Sequence, residues 1–309
     1  MSLAFVFPGQ GSQSIGMMAA YGEEPALRAT FDEASAALGR DLWRLAAEGP
    51  EDALRLTVNT QPLMLAADVA VWRLWSARGG ATPVWLAGHS LGEYAALVAA
   101  DAMGFADAVR LVELRARAMQ EAVPEGVGAM AAILGLDEAG IAAACEEAAR
   151  GEVVEAVNFN APGQTVIAGH AGAVARACEA AKARGAKRAV MLPVSAPFHC
   201  SLMRPAGERL ARRLATIALA APRIPVVQNA DVACHGEPAA IADALVRQAH
   251  SPVRWVETVR YMARQGVTRI CECGPGKVLA PLVRRIDPAA TGLALCDAAS
   301  IGRALEETR

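Results

Sequence analysis

The sequence predicts an α/β fold in which a large domain with a mostly parallel sheet carries an inserted subdomain. Two observations predict it. Short apolar, β-rich runs recur along the chain with helix-period segments between them, which is typical of a parallel sheet covered by helices. Between residues 126 and 196 the order of elements becomes βαββαβ, the ferredoxin-like split βαβ unit. The 309 residues suffice for two domains, so we expect a large domain at 1–125 and 197–309 and a subdomain at 126–196.

The apolar runs predict the strands of the large sheet at residues 3–7, 84–87, 225–228, 269–273 and 292–295. The first helix is indicated by apolar residues at steps of four, three and four from Leu27 to Leu38, and Gly39 ends it. A second helix runs from residue 60 to the glycine pair at 79–80. In the subdomain we expect strands at 128–134, 153–159, 165–169 and 188–192, helices at 137–149 and 172–184, and a turn at 160–164.

The composition argues against several classes of protein. With 30 basic and 32 acidic residues, the formal charge of −2 supplies no overall field for nucleic acid or an anionic membrane. The seven cysteines are an odd number without a C-x-x-C pair, so we expect reduced thiols in a cytoplasmic protein and no zinc ribbon. The first apolar run is too short for a signal peptide, and Asn, Pro and Gly interrupt the longest uncharged stretch, 156–175. We therefore expect no membrane insertion.

The pentapeptide GHSLG at residues 88–92 carries the strongest chemical signal in the chain. It follows a predicted strand and precedes a helix-compatible segment, which is the context that a G-x-S-x-G nucleophile elbow requires. The glycines allow the sharp turn, and the N-terminus of the following helix directs N–H groups at the site. Ser90 is therefore the candidate nucleophile of an α/β-hydrolase-like domain.

A serine nucleophile needs a base, because its hydroxyl group reacts poorly at neutral pH. Among the five histidines, His199 follows the proline-rich exit of the subdomain, where the chain returns to the main sheet and can reach the cleft between domains. The acids between nucleophile and base, Asp101, Asp107 and Glu113 among them, start helices or lie on helix faces. A Ser-His dyad whose imidazole is fixed by a backbone carbonyl or an amide needs no such acid.

The first predicted strand ends in a glycine-rich loop, GQGSQ at residues 9–13. A dinucleotide-binding loop is one interpretation, but the third glycine of G-x-G-x-x-G is Ser14 here, and no acidic residue ends a second strand about 20 residues on. The alternative is that this loop lies beside the elbow. The N–H groups of Gln10 and Leu91 would then stabilise a developing oxyanion.

Arg115 lies on a predicted helix at 107–122 whose inner side is apolar. An arginine that points inward there is costly unless an anion pairs with it. Two interpretations stay open. Arg115 is either a solvated cation like Arg110 and Arg117, or the partner of a carboxylate-bearing substrate.

Six segments resemble, in their order and spacing, those of the malonyl-CoA:acyl carrier protein transacylases over essentially the whole chain: residues 7–13, 88–93, 115, 158–164, 197–200 and 274–277. The resemblance implies that Ser90 is acylated, that His199 is its base and that Arg115 binds the malonyl carboxylate. It implies no metal or prosthetic group. Phe198, before the histidine, is also found in many malonyl-selective polyketide acyltransferases of this family, so an α-methyl branch on the substrate is less expected.

The resemblance also implies that the N–H groups of Gln10 and Leu91 form the oxyanion hole and that the main-chain oxygen of Gln248 orients the histidine. The implied reaction is a ping-pong transfer of malonyl from malonyl-CoA, through a malonyl-serine, to the thiol of acyl carrier protein. A serine thioesterase or esterase with the same Ser-His pair is the alternative, which the arginine match and the missing triad acid disfavour. A non-catalytic subunit that binds the carrier protein is a third possibility.

We expect the protein to be a monomer. Carrier proteins are typically acidic, so we also expect a basic surface on which the carrier protein docks. Two groups of cations are candidates for that surface: Lys182, Arg184, Lys187 and Arg188, and Lys277, Arg284 and Arg285. Solvated helix faces are the other interpretation of both groups.

Overall fold

The computed structural model describes residues 2–308 and contains two sheets. The strands are β1 (Leu3–Phe7), β2 (Trp85–Gly88), β3 (Gly128–Leu134), β4 (Val154–Ala161), β5 (Gln164–His170), β6 (Arg188–Met191), β7 (Val226–Val227), β8 (Arg269–Cys273) and β9 (Thr291–Leu295). The helices are α1 (Pro25–Leu38), α2 (Leu42–Glu48), α3 (Glu51–Arg55), α4 (Thr57–Ala77), α5 (Gly92–Ala99), α6 (Phe105–Glu121), α7 (Glu138–Ala149), α8 (Ala171–Ala183), α9 (Arg204–Leu214), α10 (Pro238–Gln248), α11 (Trp255–Arg264), α12 (Ala280–Ile286) and α13 (Ala298–Glu307).

The large sheet is parallel, with the strand order β7-β2-β1-β8-β9. Strand β1 lies at its centre and is buried along its whole length. Phe5 and Phe7 pack into a core shared with α1, α4 and α6, whereas Ala4 and Val6 pack on the opposite face with residues of α11 and α12. Because helices cover both faces, the carboxyl ends of the strands are the edge where a site can form.

The second sheet is antiparallel, with the order β4-β5-β3-β6, and α7 and α8 pack on one of its faces. In chain order its elements read βαββαβ, with the strand arrangement of a ferredoxin-like unit. The predicted fold class is confirmed: a parallel α/β domain carries a ferredoxin-like insertion.

Two sets of contacts join the insertion to the large domain close to the elbow. The segment around Val253 pairs with β4: Phe159 donates to the oxygen of Val253 (3.0 Å), and Val253 donates to the oxygen of Val157 (2.8 Å). His89 Nε2 lies 2.8 Å from Oδ1 of Asn160 on β4. The ring of His89 also lies edge-on to Trp255, with centroids 5.5 Å apart. His89 therefore ties the elbow to the insertion.

Several boundaries differ from the predicted ones by a few residues. Strand β4 continues to Ala161 through the expected turn, because bulges at 156–158 and 159–161 keep its polar residues within the ladder. Helix α4 begins at Thr57, and β7 has only two residues. The uncharged stretch 156–175 forms β4, β5 and the start of α8. Within residues 2–308, no helix combines the length and apolarity needed to cross a bilayer.

Candidate active site

Ser90 lies on a sharp turn between β2 and α5 and has a positive φ of 53°. Two glycines make this turn possible. A Cβ on Gly88 would lie 1.9 Å from the carbonyl carbon of Gly92, and a Cβ on Gly92 would lie 2.0 Å from the oxygen of Phe7. Neither backbone approach leaves room for a side chain. The turn therefore has the strand-elbow-helix form that the sequence predicts.

Ser90 and His199, which are 109 residues apart in sequence, form a hydrogen-bonded dyad. Ser90 Oγ lies 2.6 Å from His199 Nε2, and His199 Nδ1 lies 2.9 Å from the main-chain oxygen of Gln248. Because a carbonyl oxygen only accepts hydrogen bonds, Nδ1 carries the proton and Nε2 is free to accept the serine proton. A backbone carbonyl thus takes the orienting place that an acid holds in a triad.

The surroundings of His199 keep its imidazole neutral. Burial and the positive charge of Arg115 lower the pKa of His199 from 6.5 to about 3. The imidazole is therefore unprotonated, as a general base must be, across the whole neutral range.

Arg115 points inward and lies directly beside Ser90. Its side chain is 2% exposed, and one terminal nitrogen donates to Ser90 Oγ (3.1 Å) and to Oε1 of Gln248 (3.0 Å). The other terminal nitrogen donates to Oε1 of Gln61 (2.8 Å). All of these acceptors are neutral, and among the described residues no carboxylate forms an ion pair with Arg115. The interpretation of Arg115 as a solvated cation is wrong, because its inward face is shared with buried apolar residues of α6.

The two other arginines of this helix remain at the surface. Arg110 pairs with Asp107, and Arg117 pairs with Glu113. The guanidinium of Arg115 also lies over the ring of Tyr94, 5.4 Å from its centroid. Burial lowers the pKa of Arg115, yet an arginine remains charged in proteins. The site therefore presents a buried positive charge to any group attached to Ser90.

The glycine-rich loop lies against the elbow. A Cβ built on Gly9 would lie 2.7 Å from the oxygen of His89 and 3.7 Å from the nitrogen of Leu91. Within the described part of the chain, neither Gln10 nor Leu91 donates its main-chain N–H to a protein acceptor. The side chain of Gln10 turns away and accepts from Thr57 Oγ1 (2.9 Å). Two free N–H groups beside Ser90 suit a developing oxyanion, should Ser90 be the nucleophile that the sequence predicts.

Three residues of the site were missed by sequence reasoning. Asn229 accepts from the nitrogen of Ser90 (2.7 Å) and donates to the oxygen of Gly88 (2.7 Å), so it fixes the elbow on both sides. Glu93 accepts from the nitrogen of Asn229 (2.8 Å), and Gln61 supports Arg115 as described above. Asn229 follows β7 at the carboxyl edge of the sheet, a position that could have marked it from the sequence.

The other predicted candidates lie outside this cluster. Asp101 is exposed and pairs with Arg223. In the first basic group Lys182 pairs with Glu179 and Arg184 with Glu147, as on solvated helix faces, while Lys187 and Arg188 are exposed. Residues 2–308 contain no cluster of three or more His, Cys, Asp or Glu side chains arranged to hold a metal ion.

Known proteins are similar to this chain in both sequence and fold. The chain matches the acyl transferase domain family over residues 4–286. It is 57% identical over 305 residues to the malonyl CoA-acyl carrier protein transacylase of Salmonella typhimurium, covering 98% of this chain and 99% of that protein. The crystal structure of the acyl-carrier-protein S-malonyltransferase of Burkholderia pseudomallei is 59% identical with a TM-score of 0.98, covering 99% of this chain and 100% of that chain.

A second solved structure is that of a malonyl-transacylase in complex with its type II PKS acyl-carrier protein. It is 52% identical to this chain with a TM-score of 0.98, covering 99% of this chain and 100% of that chain. The family match covers most of the chain, and these relatives align over nearly the full length of both partners. The chain therefore belongs to the acyl transferase family, and it is an acyltransferase.

Proposed function

We propose that the chain transfers a malonyl group from malonyl-CoA to the thiol of an acyl carrier protein, through a malonyl ester of Ser90. The observation that carries the proposal is the position of Arg115, whose guanidinium donates to the nucleophilic oxygen itself. In a malonyl ester the free carboxylate is separated from the ester carbonyl by one methylene group, so it lies within reach of a cation that contacts the ester oxygen. The fork of the guanidinium can bind both carboxylate oxygens.

In the first half-reaction His199 Nε2 accepts the proton of Ser90 Oγ, and Oγ attacks the thioester carbon. The N–H groups of Gln10 and Leu91 stabilise the resulting oxyanion. The carbon–sulfur bond then breaks, and the CoA thiolate takes the proton from His199. In the second half-reaction the carrier thiol gives its proton to His199 and attacks the ester carbon. Ser90 Oγ leaves and recovers the proton.

Each proton in this cycle has a donor and an acceptor in the chain or its substrates, so the proposal requires no metal or prosthetic group. The CoA thioester enters as a substrate. We also propose that the enzyme acts as a monomer. The seven cysteines are unpaired, as in proteins of reducing compartments, and we place the reaction in the cytoplasm.

Intact-mass measurement of the protein mixed with malonyl-CoA tests the proposal. We expect a malonyl adduct on the wild-type protein that is discharged onto an added carrier protein. The adduct is absent from Ser90→Ala and retained in Ser76→Ala, whose serine is exposed on α4. Malonate release at equal rates with and without the carrier would instead indicate a thioesterase, and the absence of any adduct would indicate a non-catalytic subunit.

A further inference from the structure

We infer that Glu93 is a positioning residue for substrate selection: its carboxyl group fixes the side-chain amide of Gln248, and that amide holds Arg115 in place for the substrate carboxylate. The inference rests on the proposed function, because it concerns how this site distinguishes malonyl from an acyl group without a free carboxylate. Glu93 lies three residues after Ser90 in the first turn of α5, and none of its surface is exposed.

Glu93 binds two donors through a single oxygen. Its Oε2 accepts from the main-chain nitrogen of Asn229 (2.8 Å) and from Nε2 of Gln248 (3.1 Å). Its Oε1 is buried and has no hydrogen-bond partner within residues 2–308. Burial of a carboxyl group with one unpartnered oxygen is costly, and the two hydrogen bonds at Oε2 offset part of that cost. Here both donors belong to residues that hold the nucleophile and its neighbours.

The amide of Gln248 can take only one orientation in this network. Its Nε2 donates to Glu93 Oε2 and to the main-chain oxygen of Ser90 (2.8 Å), so both of its hydrogens are used. Its Oε1 therefore faces Arg115 and accepts a hydrogen bond of 3.0 Å. If the amide were flipped, its oxygen would face two acceptors and its NH₂ group would face the guanidinium. Removal of the Glu93 acceptor lowers the energetic cost of the flipped orientation.

Gln248 also orients His199, through its main-chain oxygen and not through its side-chain amide. The main-chain oxygen of Gln248 accepts from His199 Nδ1, and this contact does not depend on the orientation of the side-chain amide. A change at Glu93 therefore disturbs Arg115 more than the Ser90-His199 dyad. Loading of malonyl, whose free carboxylate pairs with Arg115, should suffer more than loading of acetyl, which has no carboxylate.

The positioning role requires a hydrogen-bond acceptor at Oε2. It does not require that Glu93 carry a negative charge. Burial raises the pKa of Glu93 to about 7, and a proton on the unpartnered Oε1 leaves Oε2 free to accept both hydrogen bonds. Glutamine reproduces this neutral form, with its oxygen in the place of Oε2. Methionine has a similar length and no strong acceptor. The two substitutions thus separate loss of the acceptor from loss of the charge.

The test compares Glu93→Met with Glu93→Gln in single-turnover acylation of Ser90 by malonyl-CoA and by acetyl-CoA, followed by intact mass. In Glu93→Met we expect the malonyl-to-acetyl ratio of the second-order rate constants for acylation to fall about tenfold or more, mainly because half-maximal acylation needs a higher concentration of malonyl-CoA. In Glu93→Gln we expect the ratio to stay within about threefold of wild type. Gln248→Met should lower the malonyl-to-acetyl ratio in the same way, because it removes the side-chain amide and keeps the main-chain oxygen. This variant replaces Glu93→Met in the test if Glu93→Met does not fold.

An unchanged ratio in Glu93→Met, or in Gln248→Met where the first variant does not fold, overturns the inference. In that case Glu93 contributes to the fold alone, and both acyl groups are loaded more slowly by the same factor. Failure of the proposed function looks different, since the wild-type protein would then form no malonyl adduct. That result would remove the inference together with the function on which it rests.

Discussion

Arg115 is a buried cation whose partners are neutral oxygen atoms from Gln61, Gln248 and Ser90. A buried charge whose hydrogen-bond partners are all neutral is unfavourable, and a substrate carboxylate that arrives on Ser90 would offset that cost. An acetyl group leaves the cost in place. Selectivity at this site is therefore expected to come from the pairing of one charge more than from the shape of the pocket.

Replacing Arg115 by Ala should reduce the preference for malonyl-CoA over acetyl-CoA by roughly 10²-fold or more, since the site then has no polar partner for the carboxylate. The preference is measured as the ratio of kcat/KM for Ser90 acylation by the two thioesters. Arg117→Ala is the matched control, because Arg117 lies two residues along the same helix, exposed and paired with Glu113. An unchanged ratio in Arg115→Ala would show that another group selects the substrate.

At the residue scale, the candidate reactive groups could be predicted from short motifs, whereas the contacts made by the supporting side-chain amides could not. Ser90 and His199 belong to a chemistry that few residue types can perform, so short motifs indicate them. Gln61 and Asn229 act through amide hydrogen bonds to groups 54 and 139 residues distant. Any buried polar residue can make such bonds. Their partners become evident only when the fold brings α4, α6 and the end of β7 together.

The strand-elbow-helix element around Ser90 depends on how closely its backbone segments approach one another. Gly92 is the first residue of α5, and its Cα faces the oxygen of Phe7 at the end of β1. A methyl group there would have to move one of two main-chain segments, since all of the nearest atoms belong to the backbone. Overpacking of this kind typically costs about 1–3 kcal/mol and sometimes more.

The variant Gly92→Ala should therefore lose about 3 kcal/mol of unfolding free energy and most of its Ser90 acylation, because the elbow must shift away from His199. Gly302→Ala is the matched control. Gly302 lies within α13, and a Cβ there meets no atom within 4 Å. Helix propensity predicts that this control gains up to about 1 kcal/mol. Urea unfolding of both variants measures the difference, and equal stability of the two would contradict the packing account.

At the element scale, apolar periodicity and Gly or Pro residues predict where most elements lie, and they are less informative about where elements end. The segment 158–164 contains two asparagines, a proline and a glycine, which predicts a turn from residue 160. Instead β4 runs to Ala161, because its pairing with β5 and with the Val253 segment keeps the polar residues in the sheet. Tertiary pairing decides these boundaries, and the sequence of one segment does not contain it.

Across the whole molecule, buried titratable groups give the stability two opposing dependences on pH. Burial, together with Arg115, lowers the pKa of His199 to about 3, so between pH 3 and 6.5 the unfolded chain binds a proton there that the native chain does not. The contribution of His199 to the free energy of unfolding therefore rises with pH.

Asp68 has the opposite effect. It is fully buried, and both of its carboxylate oxygens lack a hydrogen-bond partner within the described residues. Burial together with nearby Glu272 raises its pKa well above 3.8. Above pH 3.8 the native chain holds a proton that the unfolded chain has lost, so stability from this group falls as pH rises.

Substitution of His199 or Asp68 should change the slope of the free energy of unfolding against pH. Between about pH 4.5 and 6, each group changes the free energy of unfolding by up to about 1.4 kcal/mol per pH unit, in opposite directions. In His199→Gln the free energy of unfolding should therefore rise less steeply with pH than in the wild type. In Asp68→Asn it should fall less steeply with pH. Urea denaturation at several pH values measures both slopes. An unchanged slope in either variant would mean that the replaced side chain carries the same charge in the native and the unfolded chain, which would contradict this account.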